Sequence, residues 1–191
     1  ASSDSVAGGL IAAGVTKATA TSNSTTLTTI GDDAEIIAGQ SSANASATDR
    51  TDTMTRAGAG GVLAGAAAAP TSTNNAVTRT TIGTGASIDT GDDELGTVDF
   101  GAIHEGQVEA RVITDAYGAL SGSGAAANNT VNSTVEVVFE SDSSVRARDL
   151  SADANNRAIK LGTYDNDGNW IDSINGTTAG LVSGAGATSD T

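Results

Sequence analysis

The chain has 191 residues, 9 Lys and Arg against 23 Asp and Glu, a formal net charge of −14 and no Cys. Disulfides and thiolate metal sites are thereby excluded, and the acidic balance argues against nucleic acid or anionic membranes as partners. Aromatics are 3% of the residues and much of the 38% hydrophobic fraction is Ala, so a compact globule would have a thin core.

A stack of hydrogen-bonded β-coils needs only a narrow column of small and β-branched side chains, and the chain suits it. Disorder fits less well, because Pro occurs once, at Pro70, and Val, Ile and Leu recur in alternation with polar residues. No run approaches the roughly 18 apolar residues of a membrane-spanning helix, so no membrane insertion is expected.

From the start, Ala1 to Ser5 reads as the tail of a preceding unit. Unit one covers residues 6–57. Val15 to Thr29 alternates small apolar and polar residues and is rich in Thr, which predicts strand. Ile30-Gly31-Asp32-Asp33-Ala34-Glu35-Ile36 reads as strand, turn, strand, and Ser41 to Thr55 alternates again with Ala43, Ala45 and Ala47 on one face.

Unit two covers 58–116. Its Gly60-Gly61-Val62-Leu63 echoes Gly8-Gly9-Leu10-Ile11, and Ile82 to Ile88 echoes Ile30 to Ile36, both at a spacing of 52. Two landmarks at one spacing predict stacked supersecondary units. The Ala66–Ala69 run invites a helix, but Pro70 and the flanking Gly residues leave no length for one. Val108, Ala110 and Val112 form the inward face of the clearest later strand.

Unit three covers 117–177 and a partial fourth covers 178–191. Phe139 to Val145 matches Ile82 to Ile88 at a spacing of 57, and Gly180 follows Gly118 at 62. Lengthening by five each time predicts insertions in exposed turns. Val131, Ser133, Val135, Val137 and Phe139 make the longest inward stripe. Each unit exceeds a coil of about 20–29 residues, which predicts two to three coils per unit and a rod of roughly 35–45 Å. Both ends break off mid-pattern, as an internal segment of a longer array or a subunit continued by its neighbour would.

Candidate chemistry is sparse. His104 is the only His and reads as a solvent-exposed turn residue rather than a general base. No Gly-x-Ser-x-Gly elbow and no phosphate loop occur, and an enzyme is the last-ranked class. The best ligand site is Ca²⁺ at Asp165, Asp167, Asn169 and Asp172, hard oxygen donors at alternating positions. The loop departs from the EF-hand at Trp170 and lacks its bidentate Glu; Asp/Asn/Gly turn geometry is the competing explanation. Asp89, Asp92, Asp93 and Glu94 form a second acidic turn, and Asp32-Asp33 a third.

Thr19-Ala20-Thr21 and Thr51-Asp52-Thr53 raise ice binding, against which stands their lack of matching unit positions. Trp170 and Tyr164 mark either a carbohydrate contact or a cover over one end of the core.

The repeated Gly-Gly-Leu-Ile-Ala-Ala-Gly, Ala-Thr-Ala-Thr and Ile-Gly-Asp-Asp-Ala-Glu-Ile resemble the β-strand repeats of giant bacterial surface and secreted adhesins, the haemagglutinin-like and filamentous β-helix proteins. That resemblance implies an extracellular or cell-surface stalk or fibre, and it carries no catalytic residues. The expected fold is an all-β solenoid, a right-handed parallel β-helix, with antiparallel sandwich domains as the rival. The expected function is structural, through self-association or contact with neighbouring repeats; glycan or ice binding, stiffened by calcium, is the alternative.

Overall fold

The computed structural model describes residues 1–91, 96–164, 170–171 and 174–190. These residues form strands and turns with no helix. The chain runs out along one long sheet, turns through a three-residue strand, and returns along a second long sheet. β1 (Ser2–Gly8) is the return half of the first rung, followed by β2 (Ile11–Ile30), β3 (Glu35–Ile37) and β4 (Gln40–Gly60). The next coil is β5 (Leu63–Ile82), β6 (Ser87–Asp89) and β7 (Thr97–Tyr117), and the next begins with β8 (Leu120–Phe139) and β9 (Ser144–Arg146). Its return arm is split into β10 (Asp149–Lys160) and β13 (Ile174–Ala179), with the short pair β11 (Thr163–Tyr164) and β12 (Trp170–Ile171) between them. β14 (Val182–Asp190) opens the fourth rung of the outgoing sheet.

Besides the β11-β12 pair, the described residues form three sheets: β1-β4-β7-β10 with β13 also on β7, β2-β5-β8-β14, and β3-β6-β9. Every pairing in them is parallel, so the architecture is a β-solenoid and the antiparallel sandwich is ruled out.

The sequence repeat is the rung repeat. Ile30 pairs with Ile82 and Ile82 with Phe139, the spacings of 52 and 57 read from the chain. Leu120 pairs with Val182, the spacing of 62. One unit is therefore one coil, not two or three. Strands of 20 and 21 residues make each coil a flattened loop roughly 65 Å wide, and four rungs span only about 15 Å. The expected rod is instead a broad slab. Alternation runs unbroken from Ile11 to Ile30, through Gly14 and Ser22-Asn23-Ser24, and ends only at Gly31-Asp32-Asp33.

The insertions fall in two different places. The second coil gains five residues between β6 and β7, where the first coil passes from Ile37 to Gln40. The third gains ten inside its return strand, since Lys160 pairs with Val108 but Ile174 pairs with Val112.

The corner between returning and outgoing sheets explains the Gly-Gly motif. A Cβ on Gly61 would fall on the carbonyl oxygen of Gly9, one on Gly118 on that of Gly61, and one on Gly180 on that of Gly118. Only Gly lets successive corners stack this closely. At the opposite end, Asp33, Gly85 and Asp142 occupy the same turn position with φ of 52°, 70° and 60°. Asp and Gly tolerate that left-handed conformation best. Each turn also closes on its neighbour: Asp33 N–H donates to Thr84 O at 2.8 Å and Gly85 N–H to Ser141 O at 3.0 Å.

Pro70 lies inside β5, which confirms that the Ala run is strand. It pairs with Ala18, but the pairing of β5 with β8 breaks at Ala69 and Pro70. Leu63 N–H points to Leu10 O, so even-numbered residues of β5 direct their N–H groups towards β8, and Pro has none to offer.

The space between the long sheets is apolar at both rims and polar in the middle. Near the Gly corner, Ala12, Ala57, Ala66, Val112, Ala116 and Ala125 pack together. At the far rim Ile82, Ile88, Val98 and Phe100 form the second cluster, and Phe100 meets Phe139 edge-on at 5.5 Å and 80°. Val108, Ala110 and Val112 point inward as expected, and are fully buried. Phe139, the end of the expected Val131 stripe, stays 42% exposed because it sits at the rim of the third rung.

Candidate functional site

Three features carry chemistry: the interior polar section, the outer faces of the long sheets, and the open strand edges. The interior section is built on His104. Strand alternation puts it inward on β7, 0% exposed, which corrects the expectation of a turn His. Its Nε2 lies 3.0 Å from Asp49 Oδ2 and its Nδ1 3.2 Å from Asn156 Oδ1. The Ser24 hydroxyl donates to the same Asp49 oxygen, and Asn74 Nδ2 donates to the Asp49 carbonyl at 3.4 Å. The carboxylate thus sits between hydroxyl and imidazole, so no nucleophile–base contact of the hydrolase kind forms here.

Further along, the Thr53 and Ser72 hydroxyls are 2.8 Å apart and Ser72 donates to the Glu109 carbonyl at 2.7 Å. Thr80 donates to the Gly101 carbonyl at 2.6 Å. These bonds tie one long sheet to the other through the core.

The outer faces differ in charge. The sheet containing β4, β7 and β10 carries ion pairs on its outside: Arg111 with Asp52 at 2.9 Å, Arg56 with Asp115, and Arg157 with Glu105. On β2, β5 and β8 the charged residues are Lys17, Arg79 and Glu136, and the last two pair with each other. Between these positions the face is neutral. Thr19 aligns with Thr71, and Thr21 with Thr73 and Thr130. Asn23, Asn75 and Asn132 form a ladder, Asn75 Nδ2 donating to Asn23 Oδ1 at 2.8 Å and Asn132 Nδ2 to Asn75 Oδ1 at 3.1 Å.

The Thr-x-Thr expectation is corrected in both directions. Thr51 and Thr53 point inward and are buried, so they belong to no surface rank. Thr19 and Thr21 do recur, at Thr71 and Thr73, with Ser72 between them facing the core. The signal was the 52-residue spacing already read from the Gly and Ile landmarks.

The edges are open among the described residues. β1 and β2 form one end of the stack, and β10, β13 and β14 the other, each paired on one side. Aliphatic side chains stay exposed along the Gly corner, with Leu10 at 78%, Ile11 at 77% and Leu181 at 91%.

Of the expected calcium ligands, Asp165, Asp167, Asn169 and Asp172 lie outside the described residues, as do Asp92, Asp93 and Glu94. Tyr164 and Trp170 are antiparallel backbone partners, which places β11 and β12 as a hairpin inserted in the third return strand. Asp89 Oδ1 accepts Gly91 N–H at 2.7 Å, and Asp32 Oδ1 accepts Thr84 N–H at 2.9 Å from the next turn. The Asp89 and Asp32 carboxylates thus serve turn geometry. Among the described residues no group of three or more acidic, His or Cys side chains could hold a metal ion.

Comparison of the chain with protein-family models, curated proteins and solved structures finds no match, so the functional reading rests on these features.

Proposed function

We propose that the chain is a structural segment of an extracellular fibre or stalk of the adhesin type, extended along its axis by adding rungs. The single observation that carries this reading is the open edge at each end of a stack whose rungs repeat one another in register. The free side of β2, 20 residues long, presents a row of N–H and C=O groups, a template for a further parallel rung, and β10, β13 and β14 present shorter ones at the other end. Its neighbour would be a second copy of the chain or the next repeat of a longer one. An acidic chain without Cys is consistent with a secreted setting.

Parity identifies which residues take part. Leu10 C=O accepts from Leu63 N–H, so the even residues of β2 face β5 and its odd residues direct their backbone groups outward. Thr19→Pro removes one outward N–H and adds bulk at the edge, without touching pairing to β5. Electron microscopy of the purified chain at rising concentration should show filaments, and Thr19→Pro should disperse them while circular dichroism stays unchanged. Dispersed particles for the unmodified chain at every concentration would refute self-assembly through the edges.

A further inference from the structure

The outer face of β2, β5 and β8 has a property that axial stacking does not use. The ranks Thr21–Thr73–Thr130 and Asn23–Asn75–Asn132 lie side by side on it, in a neutral band of a chain whose net charge is −14. Rungs repeat at about 4.8 Å, and alternate residues along a strand at roughly 6.6–6.8 Å. The band is therefore a two-dimensional grid of polar groups.

The grid is stiff in both directions. Thr is β-branched, which restricts χ1, and each Asn amide of the ladder is held by its neighbour at 2.8 and 3.1 Å. Thr also presents a methyl beside each hydroxyl, so the Thr rank combines apolar and hydrogen-bonding groups beside the polar Asn rank.

We propose that this band binds ice. Hexagonal ice offers oxygen rows at comparable spacings in both directions, and its surface is neutral, matching a band cleared of charge. A charged ligand would gain nothing from it. A glycan would be expected to stack on aromatic side chains, and the ranks contain none. Lateral packing of two copies, face on face, is the competing occupant.

The test uses fluorescently labelled full chain, with ice adsorption and inhibition of ice recrystallisation as readouts. The unmodified chain should coat growing ice and slow recrystallisation. Thr73→Tyr, in the centre of the grid, should lose both activities, whereas Gln107→Tyr, on the outside of the opposite sheet, should keep them. Circular dichroism checks folding, and Thr130→Tyr on the third rung replaces Thr73→Tyr if that variant unfolds. Failure of the folded, unmodified chain to adsorb, or equal activity of Thr73→Tyr, overturns the proposal. A change in sedimentation with Thr73→Tyr and no effect on ice would assign the band to a second copy instead, and also overturns it. Neither result touches growth through the edges, which Thr19→Pro reads separately.

Discussion

His104 Nε2 lies 3.0 Å from Asp49 Oδ2 across 55 residues of sequence, inside the slab and on neighbouring rungs. The contact is diagonal: His104 is paired with Ala47, and Asp49 with Gly106. Gly106 makes it possible, since a Cβ there would stand 3.1 Å from His104 Cε1 and 3.1 Å from Val131 Cγ1. Removing the carboxylate strands the imidazole Nε2 and the Ser24 hydroxyl, leaving His104 only its contact with Asn156. Asp49→Ala is expected to destabilise the fold by about 1–3 kcal/mol in urea titration. A double-mutant cycle with Ser24→Ala should give a coupling above about 0.5 kcal/mol; strict additivity would deny the shared carboxylate its role.

The Gly corner makes a sharper claim. Gly118→Ala drives a methyl into a backbone oxygen of the preceding rung, which no side-chain rotation can relieve. A loss of about 1–3 kcal/mol is expected, larger than for Gly124→Ala, whose Cβ would meet nothing within 4 Å. Thermal melts of the two variants, compared directly, decide it. Equal melting points would show that the corner relaxes.

Asn129 is 3% exposed, and neither its side-chain oxygen nor its nitrogen has a hydrogen-bond partner among the described residues. Burial without partners is unfavourable, by about 1–3 kcal/mol for a group of this kind. Asn129→Val should therefore raise the melting temperature by several degrees, at about 2–4 °C per kcal/mol for a chain of this size. A lower melting temperature would mean that the amide is satisfied in solution.

Phe100 is fully buried and closes the far rim against Phe139. Phe100→Ala should cost about 3–5 kcal/mol, the usual range for emptying a buried aromatic site. Phe139→Ala should cost less, since that ring is 42% exposed. The reverse order by calorimetry would place the anchor of the rim on the third rung.

Much of this was legible in the chain. Gly61, Gly118 and Gly180 mark positions where backbone crowding admits only Gly, and Ile30, Ile82 and Phe139 follow one another at the far rim, so the rung spacing shows through as sequence spacing. Alternation from Val15 to Thr29 gave strand type and facing, because a β-strand has a fixed period of two. The size of the coil is not legible, because Gly14 and Ser22-Asn23-Ser24 carry turn-forming residue types and yet lie inside one 20-residue strand. The place of His104 was hidden for another reason. One residue flanked by Ile and Glu carries no sign of which face it occupies until Val98, Phe100 and Ala102 are seen to share its parity.

The sequence by itself determined the repeat, the strand alternation and the Gly/Asp turn after Ile30, since these follow from local sterics and a period of two, whereas parallel pairing was decided by the structure. Only the tertiary structure decided what meets across the slab and along the stack. Asp49 reaches His104, and Thr73 lines up with Thr130 as Thr21 does with Thr73, because the five residues gained between β6 and β7 lengthen the chain without shifting the rungs. Register is set by backbone pairing between distant strands, and that pairing turned scattered Thr and Asn residues into ranks.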